Sequence, residues 1–536
     1  MHEPSPDQIV LLEGRIFPST DRASPVEALA IRSGRVHALG TAAAVEAATD
    51  RTTDRIRLGG RTVLPGLIDA HVHLQQYALG LDQVDCATPT LEECLGRLKR
   101  RAETAPAGSW VRGHGWDQNL WGRYGTLQEL DAALPGNPAF LTAKSLHSGW
   151  TNSRALTLAG IDSATPDPPG GKIERDAQGA PTGILFENAL RLVSRVIGEQ
   201  TSHALADHLQ RAQATLWEFG LTGVHDFDGP QCLRALQILR QSGRLGLRVL
   251  KNVPVTELEH VLALGLRSGF GDDWIRLGNI KVFADGALGP RTAAMFDAYQ
   301  GEPDNTGMLL IDGEELAEIG IRAVEGGWGL AVHAIGDRAN HEVLNALSTV
   351  RAHERNLGGS LQRHRIEHLQ VMHPDDLARP AELGVVASMQ PIHALSDMAM
   401  AERFWGTRTQ HAYAWRAQLD AGARLAFGSD APVESPNPFW GLHAAVGRRR
   451  LDGSPGPDGW HPQQKLQLRE ALSAYTLGPA YAAGWEAVQG RLQPGSWADL
   501  IVLDRDPFEC GADELAASNR WGPWSVVSGG SGSSRP

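Results

Sequence analysis

Long apolar runs are missing from this chain. No stretch of 18 apolar residues occurs, so no membrane-spanning helix is expected. Cysteine is scarce: Cys86, Cys94, Cys232 and Cys510 form no CxxC pair and no zinc-ribbon spacing. That excludes a disulfide framework as the organising device of a chain this long and makes a reducing cytoplasm the expected location. Positive charge is not in excess. The formal net charge of −12 gives no indication of a nucleic-acid partner. The first residues, MHEPSPDQIVLLEG, have no basic segment followed by an apolar one, so no signal peptide is expected. No apolar run is followed by G-x-G-x-x-G, and the close glycines near the C-terminus precede no helix, which disfavours a dinucleotide cofactor.

What is present is ordinary for a globular protein, with 42% apolar and 21% charged residues. The 536 residues exceed one ordinary domain and fit a large barrel with a smaller companion. Histidine and tryptophan stand out, at 20 and 15 copies, and many histidines close apolar runs.

Both ends read as short strands. Ile9–Leu12, Ala28–Arg32 and Arg35–Leu39 are β-rich, with Ser33-Gly34 as a hairpin turn. Gly490–Leu492, Ala498–Leu503 and Ser525–Val527 repeat that texture, broken by Pro494-Gly495 and Asp506-Pro507. One small β-sandwich-like domain built from residues 1–62 and 488–527 is expected, followed by a disordered Gly/Ser-rich tail over 528–536. Between the ends, short apolar runs alternate with amphipathic segments such as Ala204–Phe219, Gly313–Glu325 and Asn340–His353. The runs are Thr62–Val72, Leu221–Asp226, Leu247–Val253, Ile275–Phe283, Gly329–His333, His364–His368, Val385–Met389 and Leu425–Asp430. Eight strands alternating with helices predict an α/β fold, a (β/α)₈ TIM barrel over 63–487. The interval after the first run is too long for one βα unit. Residues 75–205 are therefore expected to be a large insertion with its own structure, containing Trp110, Trp116, Trp121 and Trp150 as a core or a binding surface.

The sharpest motif is Leu64-Pro65-Gly66-Leu67-Ile68-Asp69-Ala70-His71-Val72-His73. Side chains at i and i+2 of a strand point the same way, so His71 and His73 project together. Two imidazoles side by side suit a divalent ion. Two histidines on one strand face are more often structural, but the C-terminal end of the first barrel strand is where barrel active sites lie. Other strand ends offer His333, His368 with Glu367, and Asp430. Each alone reads blandly, as a hydrogen-bonded core histidine or a turn-capping aspartate. Their recurrence at the same end of different strands does not. Lys281, inside the fourth run, is the oddest member, because a buried ammonium is costly unless paired or neutralised. Reaction of its amine with carbon dioxide gives an anionic carbamate able to bridge two metal ions.

These motifs resemble the amidohydrolase superfamily, in the branch called amidohydrolase family 3, which includes N-substituted formamide deformylase-like hydrolases. The resemblance runs through Gly59–His73, Lys281–Gly289, Val332–Asp337, Arg365–His368, Phe427–Pro432 and Gly495–Asp504. It implies a metal-binding barrel with a domain made of both termini. It implies His71 and His73 on one metal, His333 and His368 on a second, a carboxylated Lys281 between them, and Asp430 as metal ligand and catalytic acid. The cofactor implied is a divalent metal, zinc first, as one or two ions with two favoured by Lys281. The expected reaction is hydrolysis of an amide or related C–N bond, with Asp430 passing the proton from water to the leaving amine. Asp69 and Glu367 are candidates to orient the imidazoles, with service to the turn alone as the alternative for Asp69. Ester or lactone hydrolysis and deamination of an amino-heterocycle use the same constellation, and a non-catalytic barrel scaffold is the alternative from another class. Candidate substrate contacts are His147 and Trp150 (with Ser148, Asn152 and Glu187 near them), His225, Arg291 (with Asp285), Gln390 and His393. The partner expected is a small-molecule substrate, with no nucleic acid and no membrane; a homodimer is the default assembly.

Overall fold

The computed structural model describes residues 8–21, 24–50, 53–198 and 200–517. The proposed strand Ser525–Val527 and the tail 528–536 lie outside the described residues. The chain divides into two compact units, one drawn from Met1–Leu74 and Leu209–Pro536, the other Gln75–His208.

In the first unit eight strands form one sheet, each paired in parallel with the next in sequence. They are β1 (Leu67–Val72), β2 (Leu221–Asp226), β3 (Arg248–Pro254), β4 (Ile275–Phe283), β5 (Leu330–Ala334), β6 (Arg365–His368), β7 (Val386–Met389) and β8 (Arg424–Phe427). The ring closes just past β8: Val72 bridges Ala431 in parallel, His73 N donates to Ala431 O at 2.9 Å, and Asp430 N donates to His71 O at 2.7 Å. This is the (β/α)₈ barrel that the alternation of runs indicates. All of β1, β2, β5, β6 and β7 is buried, as befits parallel strands covered on both faces. Helices return the chain, for example Gly313–Glu325, whose N-cap Asp312 accepts from Glu315 N and whose first turn holds Glu314 and Glu315.

The first run breaks where the sequence reading kept it whole. Thr62–Pro65 pairs with Arg15–Ile16 and, antiparallel, with Leu500–Leu503; only Leu67–Val72 enters the barrel. Gly66 is the hinge: a Cβ there would lie 2.3 Å from the Thr222 side chain. Both halves are apolar, so hydropathy does not separate them. Gly490–Leu492 is not a strand, although Leu492 is buried and its N donates to Pro18 O at 2.7 Å; the C-terminal strand begins at Leu500 rather than Ala498. Leu11, Leu29, Val63, Leu492 and Leu500 share one apolar cluster, so segments from both ends of the sequence pack together.

The second unit carries a six-stranded sheet in the order Gly171–Arg175, Pro181–Glu187, Ser148–Thr151, Ala139–Ala143, Val111–Trp116, Val84–Asp85. Trp116 and Trp150 are fully buried in its core with Cys86 and Cys94, and Trp121 lies 6.3 Å from each by ring centroid. Among the described residues no helix is long and apolar enough to cross a membrane.

Candidate metal centre

The carboxyl ends of β1, β4, β5 and β6 and the turn after β8 bring His71, His73, Lys281, His333, His368 and Asp430 to one face of the barrel. Asp430 Oδ1 lies 3.4 Å from His71 Nε2 and 3.5 Å from His73 Nε2. His71, His73 and Asp430 offer ligand atoms all within 4.8 Å of one another. Ring centroids of His71 and His368 are 5.1 Å apart, and those of His333 and His368 4.5 Å. The backbone at His368 (φ 72°) and Asp430 (φ 62°) is left-handed, a strained choice for non-glycine residues that concentrates at functional sites.

Local contacts set which atom each imidazole presents. His71 Nδ1 donates to Glu367 Oε2 at 2.7 Å, and His73 Nδ1 to Asp228 Oδ1 at 3.2 Å. His368 Nδ1 donates to Gln390 Oε1 at 2.9 Å. In its neutral form each of these rings therefore keeps its lone pair on Nε2. Burial alone would lower the pKa of His73, but the hydrogen bond and charge of Asp228 and the charge of Asp430 outweigh it and raise it above the ordinary value. His333 is turned the other way: Nε2 donates to Gly286 O at 2.9 Å, which leaves the lone pair on Nδ1. Burial first, with only partial opposition from Asp430 and Glu367, pulls the pKa of His71 down to about 4. His368 is held well below its ordinary value by burial and then by His333. Burial alone would push Asp430 up, but the hydrogen bond to His393 and, after it, the attraction of the surrounding histidines when they carry protons outweigh it and hold the carboxyl well below the usual range. With both rings deprotonated, as metal binding requires, the Nε2 lone pairs of His71 and His73 converge on a carboxylate, an arrangement that a divalent cation satisfies.

Lys281 Nζ is buried and has no hydrogen-bond partner among the described residues; it sits 4.8 Å from the Phe227 ring centroid and 4.6 Å from that of Phe283. Burial, offset only in part by Glu367 and Asp430, brings its pKa down to about 8. In buffer free of divalent ions and carbon dioxide, Lys281→Met is expected to stabilise the fold most below about pH 8, with the advantage shrinking as pH rises toward 10.5. The sign follows from proton counting. Between those limits the unfolded chain keeps a proton that the native state has shed, so the wild type gains stability with pH, by a total on the order of 3 kcal/mol. Urea unfolding across that range measures it, and a pH-independent difference rules out the buried amine as the titrating group.

The remaining candidates separate cleanly. Gln390 and His393 stand at the site, His393 Nε2 3.4 Å from Asp430 Oδ2. His225 is buried, and its Nδ1 accepts from Arg365 Nη1 at 2.8 Å, so it is an interior framework residue rather than a substrate-facing one. Arg291 is engaged with Glu302 at 2.5 Å and lies 5.0 Å from the Phe404 ring, an ion pair that anchors its own loop. Asp285 accepts from the backbone N of Ala294, Ile335 and Gly336, which makes it a turn anchor beside His333. In the second unit, Trp150 is not a surface for ligands: it is fully buried and its Nε1 donates to Thr126 O at 3.2 Å. Asn152 caps the helix Ser153–Ala159, and Ser148 is buried in its strand. His147 is half-buried and pairs with Glu187 at 2.9 Å. Asp69 orients no imidazole; its Oδ1 accepts from His71 N and Ser429 N, each at 3.0 Å, and so ties β1 to the turn after β8. Glycine is required at 428 for the same closure, since a Cβ there would lie 2.4 Å from His71 N.

Sequence reading missed Asp228, Arg365 and Phe283. Arg365, two residues before Glu367 on the same strand face, sends Nη2 to Glu367 Oε2 (3.0 Å), Ser388 Oγ (2.6 Å) and Ala70 O (2.6 Å), with Nε on Glu367 Oε1. Phe283, at i+2 from Lys281, is 48% exposed and lies 5.1 Å from the His333 ring, an apolar face beside the histidines.

The model of the amidohydrolase family matches residues 55–531. Putative amidohydrolase YtcJ of Bacillus subtilis is 32% identical over 92% of this chain and 94% of its own length. N-substituted formamide deformylase of Arthrobacter pascens is 31% identical over 95% of each chain. The crystal structure of a metal-dependent hydrolase from Pyrococcus horikoshii superposes with a TM-score of 0.80 at 30% identity, covering 94% of this chain and 99% of that one. The chain belongs to the amidohydrolase family of hydrolytic enzymes.

Proposed function

We propose that this protein hydrolyses an amide or related C–N bond of a small molecule, with zinc held by His71, His73 and Asp430 and a second ion by His333 and His368. The observation that carries the reading is the convergence of His71 and His73 Nε2 on Asp430 Oδ1. A divalent ion there acts as a Lewis acid toward the substrate carbonyl and lowers the pKa of water from 15.7 toward about 7. Asp430 has a division of labour. Its Oδ1 faces the two imidazoles, while Oδ2 faces His393 and is the oxygen that takes the proton from the attacking water and returns it to the leaving nitrogen. The amine of Lys281, without a hydrogen-bond partner among the described residues and easily neutral, is suited to add carbon dioxide; the new N–C bond would form as a proton leaves nitrogen, and the carbamate would offer an anionic ligand to a bound divalent ion. The likeness to N-substituted formamide deformylase supports a C–N target.

Zinc-loaded protein is expected to cleave members of a panel of N-acyl and N-formyl compounds in preference to esters, lactones and amino-heterocycles. His71→Ala should lower bound zinc by elemental analysis together with that activity. Preferential turnover of esters or heterocycles overturns the C–N assignment, and unchanged zinc in His71→Ala overturns the ligand assignment.

A further inference from the structure

Immediately after β2 the chain reads Asp226-Phe227-Asp228, and every one of these residues touches the His71-Val72-His73 segment. Asp226 Oδ1 accepts from Leu74 N at 2.9 Å, fixing the backbone just past His73. Phe227 N donates to Val72 O at 3.1 Å, and its ring stacks on His71 at 4.0 Å between centroids, 14° from parallel. Asp228 Oδ1 accepts from His73 Nδ1. The three residues form a cradle for the two-histidine motif.

A single cation pins that cradle. Lys251, in the middle of β3 and fully buried, places Nζ 2.7 Å from Asp226 Oδ2 and hydrogen-bonds the carbonyls of Asp228 and, at 3.0 Å, Asn252. Its ammonium therefore grips the cradle at both ends, by the side chain of Asp226 and the backbone of Asp228. Asp226, Asp228 and Cys232 also bring ligand-type atoms within 4.8 Å of one another. With the ammonium in contact with Asp226 and the Asp228 carbonyl, the cation of that cluster is Lys251, so the cluster is a support rather than a second metal site. The parallel with His71 is close. There Glu367 holds Nδ1 and the buried Arg365 holds Glu367. His71 thus rests on a carboxylate fixed by a buried cation, and His73 on the carboxylate of a residue whose backbone carbonyl a second buried cation holds.

We infer that Lys251, acting through the Asp226-Phe227-Asp228 cradle, is a positioning residue that sets the orientation of His73, and through it the affinity of the His71/His73/Asp430 position for a divalent ion. The inference rests on the ligand assignment proposed above. Outer partners of a metal-bound histidine commonly change metal affinity by about 10–100-fold. Removing Lys251 alone strands the Asp226 carboxylate in the interior and can unfold the chain. The test therefore uses the charge-balanced pair K251M/D226N, in which the new side-chain amide still offers an oxygen to Leu74 N, and separately D228N.

Zinc affinity of the metal-stripped full chain is measured by competition with a chromogenic chelator, and the cobalt-substituted proteins are compared by visible absorption. Both variants are expected to unfold within a few degrees of wild type, to bind zinc about 10–100-fold more weakly and to show altered cobalt bands. Residues that only support the fold would shift the melting temperature and leave affinity and spectrum alone. Folded variants with wild-type affinity and spectrum overturn the inference while leaving the metal reading intact. A wild-type chain that binds neither zinc nor cobalt overturns both.

Discussion

Asp430→Asn is expected to lower hydrolysis of the best amide substrate by about 10²–10⁴-fold at full zinc occupancy, the range for losing a positioned general acid–base. The geometry explains why the effect is large and chemical. Asparagine keeps the shape and one carbonyl oxygen for the position now held by Oδ1, 3.4 Å from His71 Nε2. It loses the oxygen beside His393 that accepts and returns a proton. The anion is also what the surrounding imidazoles favour, since they hold the Asp430 carboxyl well below the usual range despite its burial. Zinc content measured on the same sample separates the two roles. Loss of rate with zinc retained identifies the proton carrier; loss in proportion to zinc reduces Asp430 to a ligand. Activity within tenfold of wild type at equal zinc content removes it from the proton path.

The largest effect on stability is expected at Arg365, which is completely buried. Arg365→Met should cost about 3–5 kcal/mol, the range for removing one partner of a buried ion pair. The guanidinium serves Glu367 through two nitrogens and reaches Ser388 Oγ, Ala70 O and His225 Nδ1 with its remaining donors. Without it the Glu367 carboxylate keeps only His71 Nδ1 and the Ser388 hydroxyl, at 2.7 and 2.6 Å, inside the barrel. Arg365→Lys is expected to recover little, because an ammonium cannot reproduce the planar fork. A shift of the urea midpoint at constant slope measures the loss. A variant within about 1 kcal/mol of wild type would mean that water replaces the guanidinium.

The barrel was legible because short, largely apolar runs alternate with amphipathic segments, and such runs stay visible when both faces of a strand are buried. The limit was the junction at Gly66, where strands of two different sheets follow one another without a polar residue between them. The ends of the strands were legible too, since His71, His333 and His368 each stand at or one residue before a strand end. Less legible was what stands behind them. Glu367 was found because it neighbours a histidine in sequence, whereas Asp228 is 155 residues from the His73 it holds. Asp69 adjoins the histidine pair in sequence and carried two readings, imidazole partner or turn anchor; its carboxylate serves backbone amides, the second of them. Trp150 carried two readings, substrate contact or core, and its side chain is fully buried.

The closure of the ring has a consequence for biosynthesis. Asp69 and the Ser429 it grips are 360 residues apart in the chain. At about 5–20 residues per second, roughly 20–70 s pass between the emergence of the two histidines from the ribosome and that of Asp430. Throughout that interval the growing polypeptide displays a pair of imidazoles without their carboxylate. A cation captured early would be held by an incomplete set, and full grip arrives only when the last strand docks beside the first.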